Sequence, residues 1–378
     1  MIDTVVLTLK QDEFKVLDWS KFRRDVVSGR DPYTKYTLIP DPNSFGGYKP
    51  QLTIYDRFGM TARIQFSAPK ILYDGNNFDE ITEGEFEKLI FKVSSLLGTM
   101  ALSVTASQLR KTEVSKIDYS KNIIFTDHTT SSMILNELNK IDISAKLDET
   151  TKDFKNKGQR LSFHANTYEI CFYDKRKELE QTKKYGAKRT DENGLTQIEL
   201  LDRMTYDPFE VFRIEYRLNE KRKMRQIFSK YGVDTDLKFE SVFKKDISKK
   251  LLLEIWRLFE NKFDYTLHNT DDPMAMLEGV FRAKPKISLL KALAYSEAFR
   301  IASSDKGGIR RFRECVEQYS DIRSWYRIKG QLKGVGLSPI KTKLETLLLI
   351  SKQLEQFEPV KLKDYPQFKI CNVNKSKL

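Results

Sequence analysis

Three stretches of the chain alternate so that their polar residues fall on one side. In Tyr168–Tyr173, residues Glu169, Cys171 and Tyr173 share a face, and Tyr168, Ile170 and Phe172 share the apolar one. In Val211–Leu218, Arg213, Glu215 and Arg217 lie opposite Phe212, Ile214, Tyr216 and Leu218. In Val114–Ser120, Lys116, Asp118 and Ser120 lie opposite Ile117 and Tyr119. Brought to one side of a sheet, these would ring a strand-end tyrosine with cations and carboxylates. A phenol of pKa ~10 is a poor nucleophile at neutral pH until a cation or base stabilises its phenolate. Two carboxylates can hold a hard divalent ion, which polarises a phosphate. Lys175 and Arg176, at the expected start of a helix, add positive charge where phosphate charge develops. The matching reaction joins tyrosine to a DNA phosphate and frees a sugar hydroxyl. The competing reading of Tyr173 is a structural strand-end residue, and Tyr168, a rival nucleophile, alternates with core residues and is expected to be buried.

Those strands belong to a longer series. Ile2–Leu9 alternates in strand fashion with β-branched residues, while residues 11–50 are polar and rich in Asp, Pro and Gly and read as a long loop. Gln51–Asp56 and Thr61–Ser67 form a hairpin around Arg57-Phe58-Gly59-Met60. Residues 83–98 have helical spacing, a strand covers about 112–125, and a helix about 130–140. Arg160–His164 and Tyr168–Tyr173 flank Ala165-Asn166-Thr167. Asp174 is placed to cap the basic helix that follows, and Asn193-Gly194 makes a turn. The 219–231 stretch is helical and basic, and from about 239 every long segment is helical. The expected class is α+β: an antiparallel sheet with helices packed on it over residues 1–235, then an all-helical part over 236–378.

The chain has 378 residues, 66 Lys+Arg against 53 Asp+Glu, and a net charge of +13. With 40% hydrophobic and 12% aromatic residues it is too apolar for a disordered polyelectrolyte. Cys171, Cys315 and Cys371 are far apart, which excludes a disulfide framework and a cysteine zinc site and suits a reducing cytosol. No apolar run approaches the ~18 residues of a membrane span, and the start lacks a secretory signal; a soluble, cytoplasmic protein is expected, with no membrane partner. The charge is concentrated: residues 152–189 carry +6 and residues 306–333 carry +5, both interleaved with aromatics. Solvated helix faces explain charge runs equally well, but two basic, aromatic stretches favour a polyanion, with cations on phosphates and rings on unpaired bases.

Within the helical part, Ile287–Ala302 is amphipathic, Gly307-Gly308 breaks it, and Ile309–Tyr319 and Ile322–Leu332 read as two short helices. Near 308–334 they suit a helix-turn-helix whose second helix brings Arg323, Arg327 and Lys329 to a major groove, against the plainer alternative of a bundle with a basic face.

The chain resembles the gene II/X-type replication initiators of filamentous phages and related plasmids. The likeness runs through Met1-Ile2-Asp3, Ser67-Ala68-Pro69-Lys70, Asn76-Asn77-Phe78, Val114-Ser115-Lys116-Ile117-Asp118, Phe172-Tyr173-Asp174-Lys175-Arg176-Lys177-Glu178-Leu179 and Phe212-Arg213-Ile214-Glu215-Tyr216. It covers most of residues 1–230, and the succession of motifs carries it rather than any single one. The resemblance implies site-specific nicking and rejoining of DNA to start rolling-circle replication, through a covalent 5′-phosphotyrosine. Tyr173 would be the nucleophile, Lys175 would support the phosphate or phenolate, and Asp118 and Glu215 would help to bind Mg²⁺ or Mn²⁺. Many rolling-circle initiators carry a His-hydrophobe-His metal pair; His128, His164 and His268 form none, and His164 is the one candidate further ligand. It shares Tyr173's face with a two-residue turn at Ala165-Asn166, and not with a three-residue loop. Arg176, Lys177 and Arg213 are the expected DNA contacts of this part, on origin duplex and single strand, with host helicase and polymerase as further partners. The rivals are a non-catalytic nucleic-acid binder, such as a repressor or single-strand binder, and a tyrosine recombinase, which needs no metal.

Overall fold

The computed structural model describes residues 1–29, 31–39, 47–125, 129–141, 143, 151–155, 159–178, 210–260, 273–304, 308–333 and 345–365. The predicted turn at Asn193-Gly194, His128, His268 and the basic residues 183–189 lie outside them.

In chain order the strands are β1 (Ile2–Lys10), β2 (Lys15–Val16), β3 (Phe22–Val27), β4 (Tyr33–Leu38), β5 (Gln51–Asp56), β6 (Met60–Ser67), β7 (Leu102–Ser103), β8 (Val114–Phe125), β9 (Thr151–Lys155), β10 (Arg160–His164), β11 (Tyr168–Asp174) and β12 (Glu210–Leu218). Ten of them form one antiparallel sheet in the order β3-β4-β5-β6-β1-β8-β12-β11-β10-β9, and β2 pairs separately with β7. With helices packed on the sheet and, among the described residues after β12, only helices as regular elements, the class is α+β, as expected.

The sheet extends further than the pattern promised, because β3 and β4 occupy residues read as loop. Strand β3 is an edge strand, and its Arg23 and Arg24 are exposed, so no apolar alternation marks it. Charge on an edge also discourages pairing with another chain. In the β5–β6 hairpin Asp56 pairs with Met60, leaving Arg57-Phe58-Gly59 as the turn. Gly59 sits at φ +113°, a conformation that glycine adopts without a Cβ penalty.

One face of the sheet is the core. Helix Lys245–Glu260 has apolar residues at helical spacing and buries Leu251, Leu252, Ile255, Trp256 and Phe259. Its Phe259 ring lies 5.2 Å from Phe163 and 4.7 Å from Phe172, and each such buried side chain contributes roughly 1.5–3 kcal/mol. Helix Phe239–Val242 joins the same core, with Phe239 edge-on to Phe66 and the Val242 carbonyl accepting from the Tyr119 hydroxyl at 3.2 Å. The core therefore continues past residue 235 to 260.

It also recruits the far end of the chain. Helix Glu345–Gln356 buries Leu347, Ile350 and Leu354 in that core. From it, Gln353 makes both backbone hydrogen bonds of Ile124, at 3.0 and 2.8 Å. Helices Pro273–Ala283 and Leu289–Ser304 build a separate cluster around Met276, Val280, Ala292 and Phe299. Helices Gly308–Tyr319 and Ile322–Lys333 pack through Phe312 against the buried Trp325, and Asp321 caps the second by accepting from Ser324 N at 2.6 Å.

Candidate active site

The opposite face of β8, β10, β11 and β12 is polar, and its registers line residues up in cross-strand rows. Arg160, Tyr173, Arg213 and Asn122 form one row; Ser162, Cys171, Glu215 and Ser120 the next; His164, Glu169, Arg217 and Asp118 the third. Directly paired residues share a face, so the three stretches of the sequence do meet on one side. The turn after β10 is Asn166-Thr167, closed by Ala165 N donating to Tyr168 O at 2.9 Å, and this register puts His164 on Tyr173's face. Tyr168 is buried on the other face, edge-on to Tyr216.

Tyr173 is 3% exposed, and its hydroxyl donates to Glu215 Oε1 at 2.6 Å. Arg160 and Lys175 hold their charges 5.8 Å from the centre of its ring. Burial pushes the phenol well above its ordinary pKa, with Arg213 pulling the other way.

Glu215 is buried and enclosed by cations. Arg217 donates to Oε2 twice, at 2.9 and 2.6 Å. Arg213 Nε lies 2.9 Å from Oε1, although its N–H is not aimed at that oxygen, so this pair is electrostatic. Burial alone would raise the Glu215 pKa; Arg217 and Arg213 outweigh it and hold the carboxyl well below the usual range.

Arg213, expected to touch DNA, is instead 2% exposed, because its guanidinium is used within the chain. It bonds the Asn77 carbonyl at 3.0 Å and Ser120 Oγ at 3.1 Å, and pairs with Asp3 at 2.9 Å. Lys175 is also buried, paired with Glu178 at 2.5 Å. Arg176 and Lys177 are half-buried at the start of the helix that follows β11. In the C-terminal helix pair Arg323 and Arg327 are exposed, and the Lys329 side chain lies outside the described residues.

The three expected metal ligands differ in their surroundings. Asp118 is buried, and its Oδ1 has no hydrogen-bond partner, with Lys116 Nζ 3.7 Å away. Burial lifts the Asp118 pKa to about 7 against the pull of Lys116 and Arg217. Such an oxygen suits a cation. Both Glu215 oxygens are taken, however, and His164 Nδ1 lies 3.4 Å from Glu169 Oε1, an oxygen it shares with Arg160 at 3.1 Å. Among the described residues no group of three His, Cys, Asp or Glu side chains is placed to hold a metal ion. The three thus do not fit a single metal shell in this arrangement.

Asp3, Asn77 and Arg160 are the members that the sequence pattern did not single out as site residues. A carboxylate at the start of β1, whose other polar residues are Thr4, Thr8 and Lys10, was the available signal for Asp3. Asn77 contributes a main-chain carbonyl, for which side-chain patterning has no signal.

At the end of β11, Asp174 accepts from Lys177 N at 3.0 Å, as the expected helix cap. Burial raises its pKa to about 6, and Glu210 adds to that. A folded-state value above the ordinary 3.8 means that the folded chain binds the extra proton between about pH 4 and pH 6, so stability falls as pH rises through that window. Asp174→Asn keeps a cap and removes the titration. Urea unfolding should find it about 3 kcal/mol more stable than the parent at pH 8 and nearly equal to it below about pH 4.

No helix among the described residues is long and apolar enough to cross a membrane. No curated protein and no solved structure matches the chain. One family does match, that of the N-terminal part of the phage replication-associated protein of gene II. The match covers residues 1–259, which take in the whole sheet and nearly all of the helix across its core face. The chain belongs to that family, the gene II-type initiators of rolling-circle replication.

Proposed function

We propose that the chain nicks origin DNA and rejoins it through Tyr173. The observation that carries this reading is the Tyr173 hydroxyl bonded to Glu215 among Arg160, Arg213 and Lys175 on the polar sheet face. Tyr173 Oη attacks a DNA phosphorus, a P–O3′ bond breaks, and the 5′ side stays on the tyrosine. The phenolic proton passes to solvent by way of Glu215 as Oη bonds to phosphorus. The departing 3′ oxygen takes a proton and becomes the primer hydroxyl. Attack of a 3′-OH on the phosphotyrosine reverses these steps and needs no external energy source. Because Glu215 is held ionised by two arginines, it orients the hydroxyl more than it acts as a strong base, and the cations supply most of the phenolate stabilisation.

At rest the nucleophile is a buried, neutral phenol, protected until a phosphate is presented. Mg²⁺ or Mn²⁺ is the metal of this reading, and Asp118, whose Oδ1 takes no hydrogen bond, is the carboxylate that would hold it, where the ion would polarise the DNA phosphate. Incubating the chain with single-stranded origin DNA and Mn²⁺ should trap a covalent protein–DNA adduct, and its absence at every origin segment tried would sink the proposal. Persistence of full activity in excess chelator would favour the metal-free recombinase chemistry.

Origin binding is proposed for helices Gly308–Tyr319 and Ile322–Lys333, on the exposed Arg323 and Arg327 beside the exposed Tyr326. Replacing both arginines by Ala should lower the salt dependence of duplex binding by a log–log slope of about 2, without changing the rate of single-strand nicking. Lys175→Met should do the reverse, slowing nicking by roughly 10–100-fold while duplex binding stays within about twofold. Host helicase and polymerase remain the partners proposed for the freed 3′-OH and displaced strand.

A further inference from the structure

The segment 357–365 returns to the back of the site through one buried carboxylate. Glu80 is 5% exposed. Its Oε1 accepts from Asn122 N at 2.5 Å; its Oε2 accepts from Lys121 Nζ at 2.6 Å and from Val360 N at 3.0 Å. Glu80 N in turn donates to Val360 O at 2.9 Å, and Leu362 N donates to Asp79 Oδ1 at 2.7 Å. Residues 357–365 are thereby stitched onto the loop 76–80, with Phe78, Ile124, Val211 and Val360 packed between them.

That loop holds the site. Its Asn77 carbonyl accepts from Arg213 Nη1 at 3.0 Å, and its Phe78 carbonyl accepts from the Asn122 side chain at 2.8 Å. Arg213 is the cross-strand partner of Tyr173 and one of the two cations on Glu215. A continuous chain of buried contacts therefore runs from Val360 through Glu80, the loop and Arg213 to the tyrosine. The Lys121–Glu80 pair is itself shielded from water, with side chains 2% and 6% exposed. The matched family region ends at residue 259, yet this chain closes the back of its polar face with residues some hundred positions further on.

We infer that Glu80 is a positioning residue through which the C-terminal return, residues 357–365, sets Arg213 against Tyr173. The inference rests on the nicking reading for its rate effect but not for its structural one. The same contacts would serve a purely structural clasp, so the test needs readouts that a clasp would not move.

The full chain carrying 3-fluorotyrosine at position 173 reports the tyrosine's surroundings by ¹⁹F NMR whether or not it nicks DNA. Glu80→Gln keeps the shape but cannot satisfy all three donors, and Val360→Pro deletes one N–H and is the milder change. In both, the Tyr173 resonance should move in the same direction as in Arg213→Lys. The unlabelled variants should lose about 10–100-fold in nicking kcat with KM within about twofold, and the pH–rate profile should shift upward as the phenol loses cationic support. An unmoved Tyr173 resonance in both folded variants overturns the inference. So does a loss that appears equally as a lower melting temperature and a higher KM with the pH profile unchanged. If Arg213→Lys and Glu80→Gln move the resonance together while the wild type forms no adduct, the nicking reading fails and the positioning stands.

Discussion

Tyr173→Phe is expected to abolish the covalent DNA adduct and lower nicking by about 10³-fold or more, with binding of origin duplex within about threefold of the parent. The substitution removes one oxygen and leaves the ring between Arg160 and Lys175, so the packing that holds β11 is preserved. What is lost is the nucleophile and the 2.6 Å hydrogen bond to Glu215, whose oxygens keep the partners Arg213 and Arg217. Denaturing gels of labelled single-stranded origin DNA, read for both the cut strand and the protein-linked one, make the comparison. Residual nicking near the parental rate would move the chemistry to another group and leave the basic surfaces to a binding role. The buried Tyr168, on the core face, offers no substitute oxygen to the polar side.

The second large effect is on stability. Arg213→Met should cost about 3–5 kcal/mol in urea unfolding, because it strands buried charge rather than merely removing a contact. Asp3 loses its guanidinium partner, Glu215 keeps only one of its two arginines, Arg217, and the Asn77 carbonyl loses its donor. Methionine fills much of the aliphatic volume, so the loss reads the electrostatics more than a cavity. The effect should shrink in acid. Glu215, held below the usual range in the folded chain, contributes stability above its unfolded-state pKa and loses it as pH falls towards the folded value. A loss that does not shrink towards acid would assign Arg213 to packing instead. Activity should fall with stability in this variant, whereas in Tyr173→Phe only activity falls.

Much of the site was legible as alternation. A period of two in 114–120, 168–173 and 211–218 is a local property of a pleated strand, so the polar side of each stretch could be read without knowing its neighbours. The helix start at Asp174 and the burial of Tyr168 follow from equally local rules. The edge strand β3 and its neighbour β4 were not legible, because strands at a margin exposed to water need not carry an apolar stripe. Nor was the neighbourhood of Glu80: its partners at 121, 122 and 360 lie 41 to 280 residues away, and two of the donors are main-chain N–H groups.

By itself, then, the sequence determined the types of the elements that carry the site, the polar face of β8, β11 and β12 and the concentration of positive charge, since these depend on side chains a few residues apart. Only the tertiary structure decided that β8, β12 and β11 are neighbours in the registers that put Tyr173 beside Arg213 and Arg217 beside Asp118. It also decided that Arg213 faces inward, that Glu215 is spoken for while Asp118 Oδ1 takes no hydrogen bond, and that residues 357–365 close the back of the site. The reason is physical. Register and burial come from pairings and desolvation between distant segments, and the +13 net charge says where a polyanion would be drawn but not which cations are already neutralised within the fold.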